Sequence, residues 1–158
     1  MIKKTASLTA WIFLSQLILY FVHQYANFQL STAYELVASS PLHPPKIIFP
    51  VIWSTLYVMI TIAGWLLWQE RRKQDVKSAL WYYLTLMIMS WAWVPIFFKL
   101  HWMGFAFFWT IGILVATFVT IIKVSEKVEF AATLLTPYFL WLLYLAYLCI
   151  DVWLGGVV

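Results

Sequence analysis

A chain of 158 residues that is 65% hydrophobic and only 10% charged, with a mean hydropathy of +0.88, cannot cover itself with a water-facing surface, which excludes an ordinary soluble domain. Its net charge of +4 comes from ten Lys and Arg against six acids. That is too sparse for the basic stripe of a nucleic-acid surface, so no nucleic-acid partner is expected and membrane lipid takes the place of solvent.

Five apolar stretches approach the roughly 20 residues that a helix needs to cross a bilayer. They cover 6–28, 47–68, 79–98, 102–122 and 130–154, which leaves room for a single domain, an all-α integral membrane protein built as a five-transmembrane-helix bundle. The first stretch follows Lys3-Lys4 in the manner of a signal peptide. Its apolar run is too long and too far from the small residues Ser31-Thr32-Ala33, so it reads as an uncleaved first helix. The longest loop, 29–46, holds Pro41, Pro44 and Pro45; prolines favour extended backbone, so a semi-rigid ordered loop is expected. Pro50 falls in the first turn of the second span, where it is tolerated. The connectors 69–78 and 123–129 are charged, and Lys99-Leu100-His101 forms a tight turn between spans three and four. Pro95 and Pro137 lie inside spans three and five. Pro137 frees the carbonyl of Thr133 and bends its helix, with Thr136 or a neighbouring helix available to satisfy that carbonyl.

With five spans, one side carries Lys3, Lys4, Arg71, Arg72, Lys73, Lys77, Lys123 and Lys127, and the other only Lys46 and Lys99. This asymmetry places the N-terminus in the cytoplasm and the C-terminus outside. A bacterial cell membrane is the expected host.

The eleven tryptophans sort by depth. Trp65, Trp68 and Trp81 flank the cytoplasmic loop, and Trp102 and Trp153 lie near the outer helix ends, as an aromatic belt requires. Trp53 lies about 9 Å into span two at 1.5 Å per residue, Trp93 near the outer end of span three, and Trp141 mid-way along span five. These three either form a receptor for a flat apolar ligand or pack as an aromatic core, and position alone leaves both open.

Other chemistry is scarce. All six acids except Asp151 lie in loops, so no proton or ion pathway crosses the spans. His23, His43 and His101 lack ligand spacing, so no metal is expected. Cys149 is the only cysteine, so it forms no intrachain disulfide or CxxC pair and should be a small buried residue. There is no glycine-rich phosphate loop and no G-x-S-x-G elbow, which excludes classical phosphoryl transfer and hydrolysis. No cofactor is expected.

Three segments carry a family resemblance. Phe49-Pro50-Val51-Ile52-Trp53-Ser54-Thr55-Leu56-Tyr57 resembles F-P-x-x-W-x-x-L-Y at the start of helix two in the TspO/MBR family, the tryptophan-rich sensory proteins. Trp93-Val94-Pro95-Ile96-Phe97-Phe98 resembles that family's W-S-P-x-F-F, and Leu134-Leu135-Thr136-Pro137-Tyr138-Phe139-Leu140-Trp141 its L-L-x-P-Y-x-x-W. Length, span number and the proline-bearing first loop agree, so the resemblance covers essentially the whole chain. There are departures. Aligned on Pro44-Pro45, the family's loop K-P-x-W-x-P-P becomes Ser39, Ser40 and Leu42 at its Lys, Pro and Trp. Ser90 and Cys149 stand where the family usually has Asn, and Leu145 where it has a small residue, which narrows the pocket.

The resemblance implies a pocket opening toward the first loop, and a homodimer. It also implies ligands such as porphyrins, benzodiazepine- or isoquinoline-like compounds and, in animal members, cholesterol. A porphyrin would stack on Trp53, Trp93 and Trp141, supported by Tyr57, Phe97, Phe98 and Tyr138, with Ser90, Leu145 and Cys149 at family pocket positions. Its carboxylates would pair with Lys46, Lys99 and His43, although both lysines equally suit interfacial anchoring. The resemblance implies a receptor or sensor with a role in tetrapyrrole handling. One alternative it raises is light-dependent porphyrin degradation, with Trp53 and Trp141 as catalytic indoles. Another is a transporter or partner-docking subunit that has lost porphyrin chemistry.

Overall fold

The computed structural model of the chain describes residues 2–25, 35, 38, 40–43, 45 and 47–155. Within these lie five helices: α1 (Ile2–Tyr25), α2 (Ile48–Gln69), α3 (Gln74–Phe98), α4 (Met103–Ser125) and α5 (Glu129–Leu154). Each contains a stretch long and apolar enough to cross a membrane. Neighbouring helices pack in the cyclic order α1–α2–α5–α4–α3, and α3 closes the ring against α1. The α4–α5 pair is the most extensive contact and α1 is the least embedded helix. Among the described residues of α1 only Leu19 is buried.

The helices outrun the apolar stretches. α3 begins at Gln74, five residues before the expected span, and the connector before it shrinks to Glu70–Lys73. Hydropathy marks the hydrocarbon boundary, whereas a helix satisfies its own backbone and continues into the headgroup layer, where Lys77 is solvated. A salt bridge of 2.7 Å from Lys73 to Glu70 and the bond from Lys73 N–H to the Glu70 carbonyl close this turn. At the other end of α3 the Pro95 carbonyl accepts from both Lys99 N–H and Leu100 N–H at 3.0 Å. His101 then takes a positive φ of 53° to reverse the chain, which confirms the tight turn. α5 runs unbroken through Pro137. The Thr136 hydroxyl does not turn to the freed Thr133 carbonyl but donates to Ala132, one turn below it, at 3.2 Å.

The buried serine and threonine hydroxyls within the helices follow one rule. Those of Thr61, Ser90, Thr110, Thr117 and Thr120 each donate to the carbonyl four residues earlier in the same helix. In lipid an unpaired hydroxyl has no water to turn to, and this local bond is its nearest remedy. It also leaves each oxygen's lone pairs free to accept from a neighbouring helix. Thr61 uses one for Ser15 of α1 at 2.7 Å, and Trp65 of α2 donates to Ser7 at 3.3 Å, so α1 is tied to α2 by polar pairs more than by buried area.

Four of the five tryptophans expected in the belt lie on the outside of the bundle. Trp68, Trp81, Trp102 and Trp153 are exposed on the bundle surface, and Arg71 lies 4.4 Å over the Trp68 ring. Trp65 is partly buried and serves the α1–α2 contact instead.

Small residues set the close approach of α2 and α3. A Cβ on Gly64 would stand 2.3 Å from the Tyr83 ring, and Tyr83 is held there by its hydroxyl bond to the Ile60 carbonyl at 3.1 Å. Gly64→Ala should therefore cost about 1–3 kcal/mol by overpacking, read as a lower thermal midpoint in detergent. Adding Tyr83→Leu should recover part of the loss.

Candidate functional site

Trp53, Trp93 and Trp141 come from α2, α3 and α5 and meet at one place. The Trp53 ring lies 6.1 Å from Trp93, near-parallel, and 6.0 Å from Trp141, edge-on at 86°. Tyr57, one turn along α2, stacks on Trp53 at 5.7 Å. Phe97 stacks on Trp93 at 4.8 Å, and Phe98 meets both Trp93 and Phe97 edge-on. These separations are direct aromatic contact, so the rings fill the space between the helices and leave no slot for another ring between them. The three tryptophans are not equivalent. Trp93 is 3% exposed, whereas Trp53 and Trp141 are only partly buried. Trp93 is the floor and the other two are the walls.

The floor is pinned by hydrogen bonds from three helices. The Trp93 indole N–H donates to the Thr110 hydroxyl at 2.8 Å. Thr110 spends its own proton on the Ala106 carbonyl at 2.7 Å. The Cys149 thiol, 3.7 Å away, must therefore be the donor in its contact with Thr110. A second pair lies beside it. Ser90 donates to the Leu86 carbonyl at 2.7 Å, so the Tyr138 hydroxyl donates to Ser90 at 2.8 Å. The Tyr57 hydroxyl is buried with no hydrogen-bond partner among the described residues. It is a donor held in reserve beside the stack.

The first loop reaches this end of the bundle. Ser40–His43 is a turn in which the Ser40 carbonyl accepts from His43 N–H at 3.2 Å and contacts the His43 ring Nδ1 at 2.8 Å. The Leu42 carbonyl accepts the Tyr144 hydroxyl at 2.6 Å, and Tyr144 packs against Trp141 at 5.0 Å. Leu42 thus stays over the site through its backbone, while its side chain is exposed. The expected rigid character of 29–46 lies mostly outside the described residues, as does Lys46. Lys99 sits with its ammonium 3.5 Å over the Tyr25 ring of α1, on the α1–α3 side of the bundle. Leu145 is buried one turn beyond Trp141, and Cys149 one turn further.

This geometry can be set beside known proteins. The sequence profile of the TspO/MBR family matches residues 10–154. The chain belongs to the TspO/MBR family. It is 34% identical over 125 residues to the translocator protein of Ovis aries, covering 76% of this chain and 72% of that one. It is 32% identical over 113 residues to the translocator protein of Homo sapiens, covering 70% and 67%. It is also similar to protein CrtK of Rhodobacter capsulatus, 26% identical over 113 residues, covering 70% and 69%. With its five apolar helices, membership in the TspO/MBR family makes this an integral multi-pass membrane protein.

Two of the departures from the family's usual residues acquire a physical meaning. Ser90 receives the Tyr138 hydroxyl, and Cys149 shares the Thr110 oxygen with Trp93. Each short side chain is therefore absorbed into a hydrogen-bonded pair inside the bundle. Thr110 and Tyr144 went unnoticed in the sequence. The signal for Thr110 was the stripe Met103, Ala106, Thr110, Ile113, Thr117, Thr120 and Val124, which marks the buried face of α4 at helical spacing. Tyr144 carried no such signal, because its partner is a loop carbonyl distant in sequence.

Thr110→Val should leave the Trp93 N–H buried and unpaired, costing about 1–3 kcal/mol. Thr120→Val, whose hydroxyl among the described residues bonds only its own helix at Ala116, should cost less. Thermal unfolding of both variants in the same detergent checks the ordering.

Proposed function

We propose that the chain is a membrane receptor that holds a flat, apolar ligand of the porphyrin class against Trp53, Trp93 and Trp141, with a role in tetrapyrrole handling. The observation that carries this reading is the convergence of three indoles from three helices on one point, on a pinned floor and beneath a loop. A lipid-facing belt needs no such convergence. A purely structural core has little use for a buried tyrosine hydroxyl without a partner.

Because the rings touch, a ligand enters by taking the place of a wall in the stack. Trp53 and Trp141 move apart, Trp93 stays on Thr110, and the ligand's face replaces an indole face at similar separation. The Tyr57 hydroxyl supplies a donor to a polar edge of the ligand. Lys99 lies over Tyr25 on the α1–α3 side of the bundle, so carboxylates at the rim are assigned to Lys46 and His43. By the lysine and arginine asymmetry this rim faces away from the cytoplasm.

Titration of the purified chain with protoporphyrin IX, followed by equilibrium dialysis, tests the reading. Saturable binding is expected, weakened about tenfold or more by Trp53→Ala and by Trp141→Ala, equivalent to about 1.4 kcal/mol each, and unchanged by Trp81→Phe. Binding indifferent to both wall residues would contradict the proposal. No saturable binding would leave the three rings as core packing.

A further inference from the structure

Away from the three tryptophans, a second concavity of about 390 Å³ runs between α1 and the last turns of α3. It is walled by Ile18, Val22 and Tyr25 on one side and Trp91, Ala92 and Pro95 on the other. Ala92 is small and Pro95 carries no N–H, which keeps the α3 side shallow, and α1 is too lightly packed to close the gap. Along α1 the groove covers Ile18 to Tyr25, about 10 Å of helix at 1.5 Å per residue. It has the shape and polarity of a hydrocarbon chain lying parallel to the helices.

We propose that this groove binds one acyl chain of an anionic glycerophospholipid, with the phosphate held by Lys99. Charge decides the headgroup. Lys99 is exposed one turn beyond Pro95, and its ammonium rests over the Tyr25 ring that forms the groove's end. An ammonium on an aromatic face keeps donors free on its far side, and a phosphate oxygen accepts them. Neither α1 nor the second half of α3 contains an acidic residue that would compete. A neutral lipid offers the chain and the ester but no net charge for Lys99. The same face of a second copy of the bundle offers apolar side chains but no acid near Lys99. The groove does not depend on the porphyrin reading, and either can fail without the other.

Photo-crosslinking tests it. The full chain is placed in phosphatidylcholine vesicles containing a small fraction of phosphatidylglycerol with a diazirine in one acyl chain, irradiated, and mapped by peptide mass spectrometry. Adducts are expected on the peptides holding residues 18–25 and 91–95. Lys99→Gln should lower phosphatidylglycerol adducts about threefold, the loss of one interfacial ion pair, while leaving those of a diazirine phosphatidylcholine unchanged. Ala92→Leu should lower both. Lys99 is exposed, so its variant keeps the fold, checked by an unaltered circular dichroism spectrum. Labelling spread evenly over all five helices would overturn the proposal. So would equal labelling by the two lipids in the native chain, or protection of 18–25 by chain-to-chain contact at high protein density.

Discussion

The hydrogen bond from the Trp93 indole to the Thr110 hydroxyl is the constraint on which the rest of the interior depends. Helices in lipid gain nothing by hiding apolar surface from water, so their association rests on packing and on polar groups that have nowhere else to bond. Trp93 is large, nearly fully buried and carries one donor, and Thr110 is its only hydrogen-bond partner among the described residues. Once Thr110 has given its proton to its own helix, its lone pairs can receive both Trp93 from α3 and Cys149 from α5. One hydroxyl thereby registers three helices. Their register in turn fixes where Trp53 and Trp141 can meet the Trp93 ring.

A graded site follows from this. The floor is immobilised by bonds that cost free energy to break in a medium without water. The walls make ring contacts, worth about 0.5–1.5 kcal/mol each, and the Tyr144–Leu42 bond at the loop backs Trp141. On the proposed reading, the pinned floor preserves the shape of the bundle while the walls exchange one aromatic partner for another. The pairs Ser90–Tyr138 and Cys149–Thr110 also keep the interior satisfied despite two departures from the usual family residues.

Much of this was legible in the sequence, and the limits have physical causes. The five helices follow from hydropathy because the bilayer imposes a length, but their ends do not, since helices continue past the hydrocarbon edge, as α3 does at Gln74. The three tryptophans were recoverable because each sits in a family motif beside a proline or another aromatic residue. Thr110 was not, since one threonine in an apolar helix acquires a role only when the facing helix is known. Lys99 was readable as a residue at a helix end, but the Tyr25 ring beneath its ammonium lies on α1, which sequence distance conceals. Leu42, missing the indole that the family's loop carries, still reaches the site through a carbonyl that no side-chain reasoning would find.

The division into fixed floor and movable walls is most directly tested by fluorine NMR on protein labelled with 5-fluorotryptophan, each resonance assigned by single Trp→Phe variants, during titration with protoporphyrin IX. Large shifts at Trp53 and Trp141, a smaller one at Trp93 and none at Trp81 or Trp102 are predicted. Shifts confined to the belt positions, or a Trp93 resonance that moves as far as the two walls, would contradict the account.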